Sequence, residues 1–178
     1  MRYVALLRAV NVGGRTVKMD RLCALFEELK LRNVESFIAS GNVIFESTAG
    51  VSSLEAKIEK HLEKALDFSV PTMVRSCADV ATVADYTPFP KMKLPTKEGG
   101  LYVGFLKSEP SAKGVANVMK IANTMNDFHV RGRELYWLAR DRMSVLKITN
   151  TQFERALGIP VTFRNVTTVR KLAEKFPG

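Results

Sequence analysis

The chain has 178 residues, of which 46% are hydrophobic and 25% charged, enough for one ordinary domain or two small ones. No apolar run approaches the ~18–20 residues of a membrane span, and the start does not read as a signal peptide, because Arg8 and Asn11 interrupt its apolar run. The formal charge of +9 is one-sided: residues 1–88 carry 11 Lys/Arg against 11 Asp/Glu, whereas residues 89–178 carry 16 against 7. Such a field attracts nucleic acid, phosphorylated ligands or an anionic partner, and it also serves plain solubility.

In chain order, Tyr3 to Val10 reads as a strand. Tyr3, Ala5, Leu7 and Ala9 form one alternating set and Val4, Leu6, Arg8 and Val10 the other, so both faces are expected to be covered. Gly13-Gly14 breaks the strand, and Arg15 and Lys18 lead into a helix, Met19 to Leu31, with Met19, Leu22, Leu25, Phe26 and Leu29 at helical spacing. Glu35 to Ala39 and Val43 to Glu46 form two strands around the turn Ser40-Gly41-Asn42, where Asn42 tolerates φ > 0. Ser52 or Ser53 is placed to cap the next helix, whose stripe is Leu54, Ile58, Leu62, Ala65 and Leu66. Pro71 to Arg75 is a short strand and Ala78 to Tyr86 a helix. Strand-helix-strand-strand-helix-strand is the split β-α-β, ferredoxin-like order.

Thr87 to Gly100 is rich in proline, glycine and charge and reads as a linker. The order then recurs: strand Leu101 to Lys107, helix Ala112 to Ala122, hairpin Phe128 to Arg131 and Glu134 to Leu138, helix Thr151 to Leu157, strand Pro160 to Phe163, helix Val166 to Phe176. The expected fold class is α+β: two ferredoxin-like subdomains packed together, with a C-terminal helix. Residues 1–88 form the neutral subdomain, 89–99 the linker and 100–178 the basic one. No strong residue-level repeat between them is visible.

Several stretches carry a resemblance. Ala5 to Gly14, Lys18-Met19, Ser40-Gly41-Asn42 and Thr162 to Leu172 resemble the signature of the bacterial domain-of-unknown-function family DUF1697: an ALLRGINVGG-type opening, a Lys-Met pair, an SGN strand turn and a TARNWxTVxKL-type ending. Ala9 stands where the family usually has Gly, and Val166 where it usually has Trp. The stretch Tyr136 to Leu146 lacks a glycine often found there. The resemblance implies a ferredoxin-like α+β fold and no assigned reaction.

In that fold the exit of the first strand and the turn from the second to the third lie at one sheet end. This gathers Asn11, Gly13, Gly14, Arg15 and Lys18 beside Ser40, Gly41 and Asn42, a place where an anion meets glycine amides, a helix N-terminus and two cations. The plainer alternative is that the glycines only make tight turns. Arg164-Asn165 precedes the last helix. Asn165 suits an N-cap with Arg164 on the surface, and the functional alternative has Arg164 reaching the same cleft as Arg15.

The first half lacks the exposed aromatics of a nucleic-acid stacking platform. Arg131, Arg133, Arg140, Arg142 and Lys147 can still meet phosphates, and Tyr136 and Trp137 among them read as core. His61 and His129 have no ligand-spaced partner, so no metal or cofactor is expected. Cys23 and Cys77 show no nucleophile signature, and two lone cysteines suit a reducing cytoplasm. The leading expectation is an anion-binding cytoplasmic protein whose ligand is nucleic acid or a phosphorylated small molecule. The alternatives are an enzyme acting on a small anionic substrate there, or a homodimeric interaction module; no membrane partner is expected.

Overall fold

The computed structural model describes residues 1–10, 16–38, 41–90, 99–141, 146 and 148–178. The first half holds β1 (Arg2–Leu7), α1 (Met19–Glu28), β2 (Arg32–Ser36), β3 (Asn42–Glu46), α2 (Val51–Leu66), β4 (Thr72–Ser76) and α3 (Cys77–Asp85). The second holds β5 (Gly100–Leu106), α4 (Ala112–Met119), β6 (Asn126–Arg131), β7 (Glu134–Ala139), α5 (Asn150–Leu157), β8 (Val161–Asn165) and α6 (Val166–Lys175). The strands make two four-stranded sheets, ordered β2-β3-β1-β4 and β6-β7-β5-β8, with every neighbouring pair antiparallel. Each is the split β-α-β arrangement. The chain divides into two compact units, Met1–Ala81 with Leu172–Gly178, and Thr82–Lys171. The sequence-based division at residues 88 and 100 differs from this one in two ways. The packing boundary falls inside α3, and the chain's last residues cluster with the first unit.

In the first unit Tyr3, Ala5 and Leu7 of β1 face α1 and α2, meeting Leu22, Leu25, Phe26, Leu54, Ile58 and Leu62 in one core. Tyr3 stacks on Phe45, with ring centroids 5.8 Å apart. The alternate set is buried as well: Val4, Leu6, Ile44 and Met73 are each at most 2% exposed. Burying side chains of this size contributes roughly 1.5–3 kcal/mol apiece. In the second unit Phe128, Trp137, Phe153 and Val161 fill the equivalent core, and Tyr136, the neighbour of Trp137 in β7, is buried as well at 2% exposed.

One edge strand of each sheet, β4 and β8, is held by helix side chains. Glu59 accepts from Thr72 N–H at 2.8 Å and Glu55 from Val74 N–H at 2.9 Å. In the second unit Glu154 accepts from Val161 N–H at 3.2 Å, and Asn150 Nδ2 donates to Val161 C=O at 2.9 Å. These bonds occupy backbone groups that a bare edge would offer to another strand.

Register exposes a repeat that the chain read linearly conceals. Tyr3-Val4-Ala5-Leu6-Leu7-Arg8 and Tyr102-Val103-Gly104-Phe105-Leu106-Lys107 hold the same places, and Arg8 and Lys107 donate their N–H groups to the carbonyls of Pro71 and Pro160. Pro71 to Ser76 then matches Pro160 to Asn165, with Arg75 and Arg164 in register with Val4 and Val103. The expectation of no residue-level repeat is thus corrected. The first strands are offset by 99 positions and the last by 89, so no single offset aligns both. The exchanges compensate: Ala5 pairs with Val74, whereas Gly104 pairs with the larger Phe163, and a Cβ on Gly104 would lie 2.7 Å from that ring.

Two local expectations are also corrected. Neither Ser52 nor Ser53 caps α2; Gly50 holds the N-cap position without a side-chain bond, and the helix starts at Val51. β1 ends at Leu7 instead of running to Val10, because Ala9 turns to φ 59°.

Candidate functional site

The site read from the sequence lies at the end of the first unit's sheet where β1 leaves. Leu7 N–H donates to Gly41 C=O at 2.8 Å, and the Gly41 Cα approaches so closely that an added Cβ would sit 3.3 Å from Leu7 Cβ and 3.5 Å from Val10 Cβ. The chain leaving β1 and the turn entering β3 are therefore side by side. Asn11, Gly13, Gly14, Arg15 and Ser40 lie outside the described residues.

The turn is built differently from expectation. Gly41 carries the left-handed backbone, at φ +73°, and Asn42 begins β3 instead. Asn42 is fully buried; its Nδ2 donates to Phe37 C=O at 3.0 Å, while its own C=O accepts from Phe37 N–H at 3.0 Å. It is a strut closing the turn from inside. Ala9 and Ile38, on either side, also sit at positive φ, 59° and 58°. Left-handed backbone costs a residue with a Cβ about 1–2 kcal/mol, which explains why glycine suits position 9 in the resembling sequences. Such strain tends to gather at ligand sites.

Lys18 is exposed at the N-cap of α1; its carbonyl accepts from Leu22 N–H at 3.0 Å, and its own side chain makes no capping bond. The first-turn amides carry a partial positive charge. Asp20 lies in the same turn, so any positive balance there rests on cations acting together.

Arg164 is not on the surface. It is 8% exposed, and its Nη1 donates to Thr162 Oγ1 and Phe163 C=O, both at 2.9 Å. Burial pulls its guanidinium down to about 10, so it stays protonated at neutral pH. Asn165 Oδ1 accepts from Thr167 N–H at 2.8 Å, as the cap reading expects. Sequence reading missed Arg75, the counterpart of Arg164 in the first unit. It is 4% exposed and donates to Val74 C=O at 3.0 Å. The available signal was its place four residues after Pro71, matching Arg164 after Pro160.

The other candidates are settled into the structure. His61 Nε2 lies 2.9 Å from Glu28, and His129 Nε2 lies 2.9 Å from the Tyr86 hydroxyl. Among the described residues no cluster of His, Cys, Asp and Glu could hold a metal ion. Burial raises both thiols, Cys23 and Cys77, above the ordinary range and so disfavours the thiolate a nucleophile needs.

With this geometry established, likeness to known proteins bears on the whole chain. No curated protein matches it. The solved structure of a conserved bacterial protein from Streptococcus pneumoniae is similar over 99% of this chain and 98% of its own, with 22% sequence identity and a TM-score of 0.72. At that identity the likeness concerns the fold alone, an α+β arrangement of two antiparallel sheets with their helices. A family described as protein of unknown function (DUF1697) matches residues 1–136, from β1 through the glycine pair and the Gly41 turn into β7. The chain belongs to the DUF1697 family.

Proposed function

We propose that this protein binds an anion at the sheet end where β1 leaves the first unit, and that the ligand is a nucleic acid or a phosphorylated metabolite. The observation that carries the reading is the Leu7–Gly41 hydrogen bond, which seats the β2–β3 turn against the chain leaving β1. Exposed Lys18 at the N-cap of α1 adds a cation beside the first-turn amides of the helix. In sequence, Gly13, Gly14 and Arg15 fall between Val10 and Thr16, so the same loop brings glycine amides and a second cation. The excess positive charge of residues 89–178 steers anions toward the molecule. A cytoplasmic location goes with this reading and rests on the two free thiols.

The test is fluorescence polarisation with labelled single- and double-stranded oligonucleotides at two salt concentrations. Nucleic-acid binding weakens steeply as salt rises, because phosphate contacts release counterions. Without such binding, a thermal-shift screen of phosphorylated metabolites reads the second ligand class. If neither an oligonucleotide nor a phosphorylated compound binds, the anion-site reading is wrong.

A further inference from the structure

The second unit holds a pocket of about 240 Å³ walled by Tyr86, Pro88, Phe89, Pro90 and Leu101 and lined also by Arg170. Its composition is unlike that of the anion site. The walls are flat rings and one aliphatic side chain, and the cation is an exposed guanidinium on α6. Proline and aromatic rings have few rotamers to lose on binding, so such a wall is largely pre-organised. Tyr86 is fixed from several directions. Its hydroxyl lies 2.9 Å from His129 Nε2, the Arg131 guanidinium carbon lies 4.3 Å from its ring centroid, and its ring packs 5.1 Å from that of Tyr136. His129 and Arg131 belong to β6 and Tyr136 to β7, so strands hold the aromatic wall in place.

We infer that this pocket binds a small aromatic carboxylate, a single ring seated among Tyr86, Phe89 and the two prolines with its carboxylate on Arg170. Size selects one ring: the volume falls below the ~300–1,000 Å³ typical of drug-sized ligand sites. Ring faces favour offset or edge contact with an aromatic guest over an aliphatic one. The guanidinium fork matches a carboxylate bidentately, and burying the ring supplies what an exposed ion pair alone does not. The inference uses none of the residues of the proposed anion site, so each reading fails independently.

The experiment is an amide NMR titration of the full-length protein with benzoate and 4-hydroxybenzoate. Cyclohexanecarboxylate, benzyl alcohol and uridine monophosphate are the comparison compounds. Saturating shifts are expected at Thr87, Phe89, Leu101 and Arg170, with affinity in the millimolar range or tighter. Arg170→Ala weakens benzoate several-fold, since the carboxylate loses its cationic partner, whereas benzyl alcohol is unaffected by the change. Thr87→Trp, an exposed lining position, fills the pocket and abolishes binding while the spectrum stays folded. The proposal is overturned if no saturating shift occurs, or if benzyl alcohol or cyclohexanecarboxylate binds as tightly as benzoate. It is equally overturned if uridine monophosphate binds more tightly, or if neither substitution changes the benzoate affinity.

Discussion

Asn42→Ala tests the strut that closes the β2–β3 turn. The side chain is fully buried, and its Nδ2 donates to Phe37 C=O at 3.0 Å. Alanine removes that donor and leaves a carbonyl partner to be resatisfied, at a cost of about 1–3 kcal/mol. The emptied volume beside Leu6, its register partner, adds to this. A total near 2–3 kcal/mol is expected, against ~0.5 kcal/mol or less for an ordinary surface turn position. For a chain of this size that lowers the melting temperature by roughly 4–12 °C. Asn42→Asp keeps the shape but turns the donor into an acceptor and buries a charge, so it is expected to melt lower than the alanine variant. Circular dichroism melts of the three proteins measure both differences. The reasoning is refuted if Asn42→Ala melts with the parent, or if Asp is tolerated as well as Ala.

Arg15→Ala is expected to weaken binding of whichever anion the polarisation or thermal-shift screen identifies, while changing stability by less than ~0.5 kcal/mol. Unchanged affinity, or ligand shifts confined to residues 131–147, moves the site away from the glycine loop. A fragment of residues 1–88 lacks buried Leu172 and Phe176 of the first unit, the edge-on contact of Phe176 with Phe37 and the Lys175–Glu35 ion pair. It is expected to aggregate or melt well below the full chain, and a monomeric, well-dispersed NMR spectrum with the parent's stability would count against this. Burial raises the Tyr136 phenol above its ordinary range. The folded state therefore favours the neutral ring, and the stability this contributes is intact below the ordinary tyrosine pKa of about 10 and is lost as pH rises beyond it. In an alkaline titration followed by phenolate absorbance, one tyrosine should resist ionisation until unfolding, and Tyr136→Phe should remove that delayed step. The same delayed step in both proteins would disprove the assignment.

The element order was legible because its signals are local. Alternation in Tyr3 to Leu7 and the stripes Leu22, Leu25, Phe26 and Leu54, Ile58, Leu62 declare strand and helix within a few residues. That order implies the ferredoxin-like arrangement, and with it the nearness of the β1 exit to the β2–β3 turn. Roles at that turn were not legible. Gly41 and Asn42 are both good turn residues, and only the bonds to Leu7 and Phe37 decide which bends the backbone and which braces it. The end of β1 was hidden too, since Val10 continues the apolar pattern and Ala9 gives no local cause to turn. Arg164 reads as surface by its charge, yet β8 pairs it with Val103 and encloses it. The repeat needed the register as well, because insertions of different length shift its matching strands by different amounts. Periodicity is written into neighbouring residues, whereas strand register and side-chain enclosure depend on partners far along the chain, so only the assembled sheets decide them.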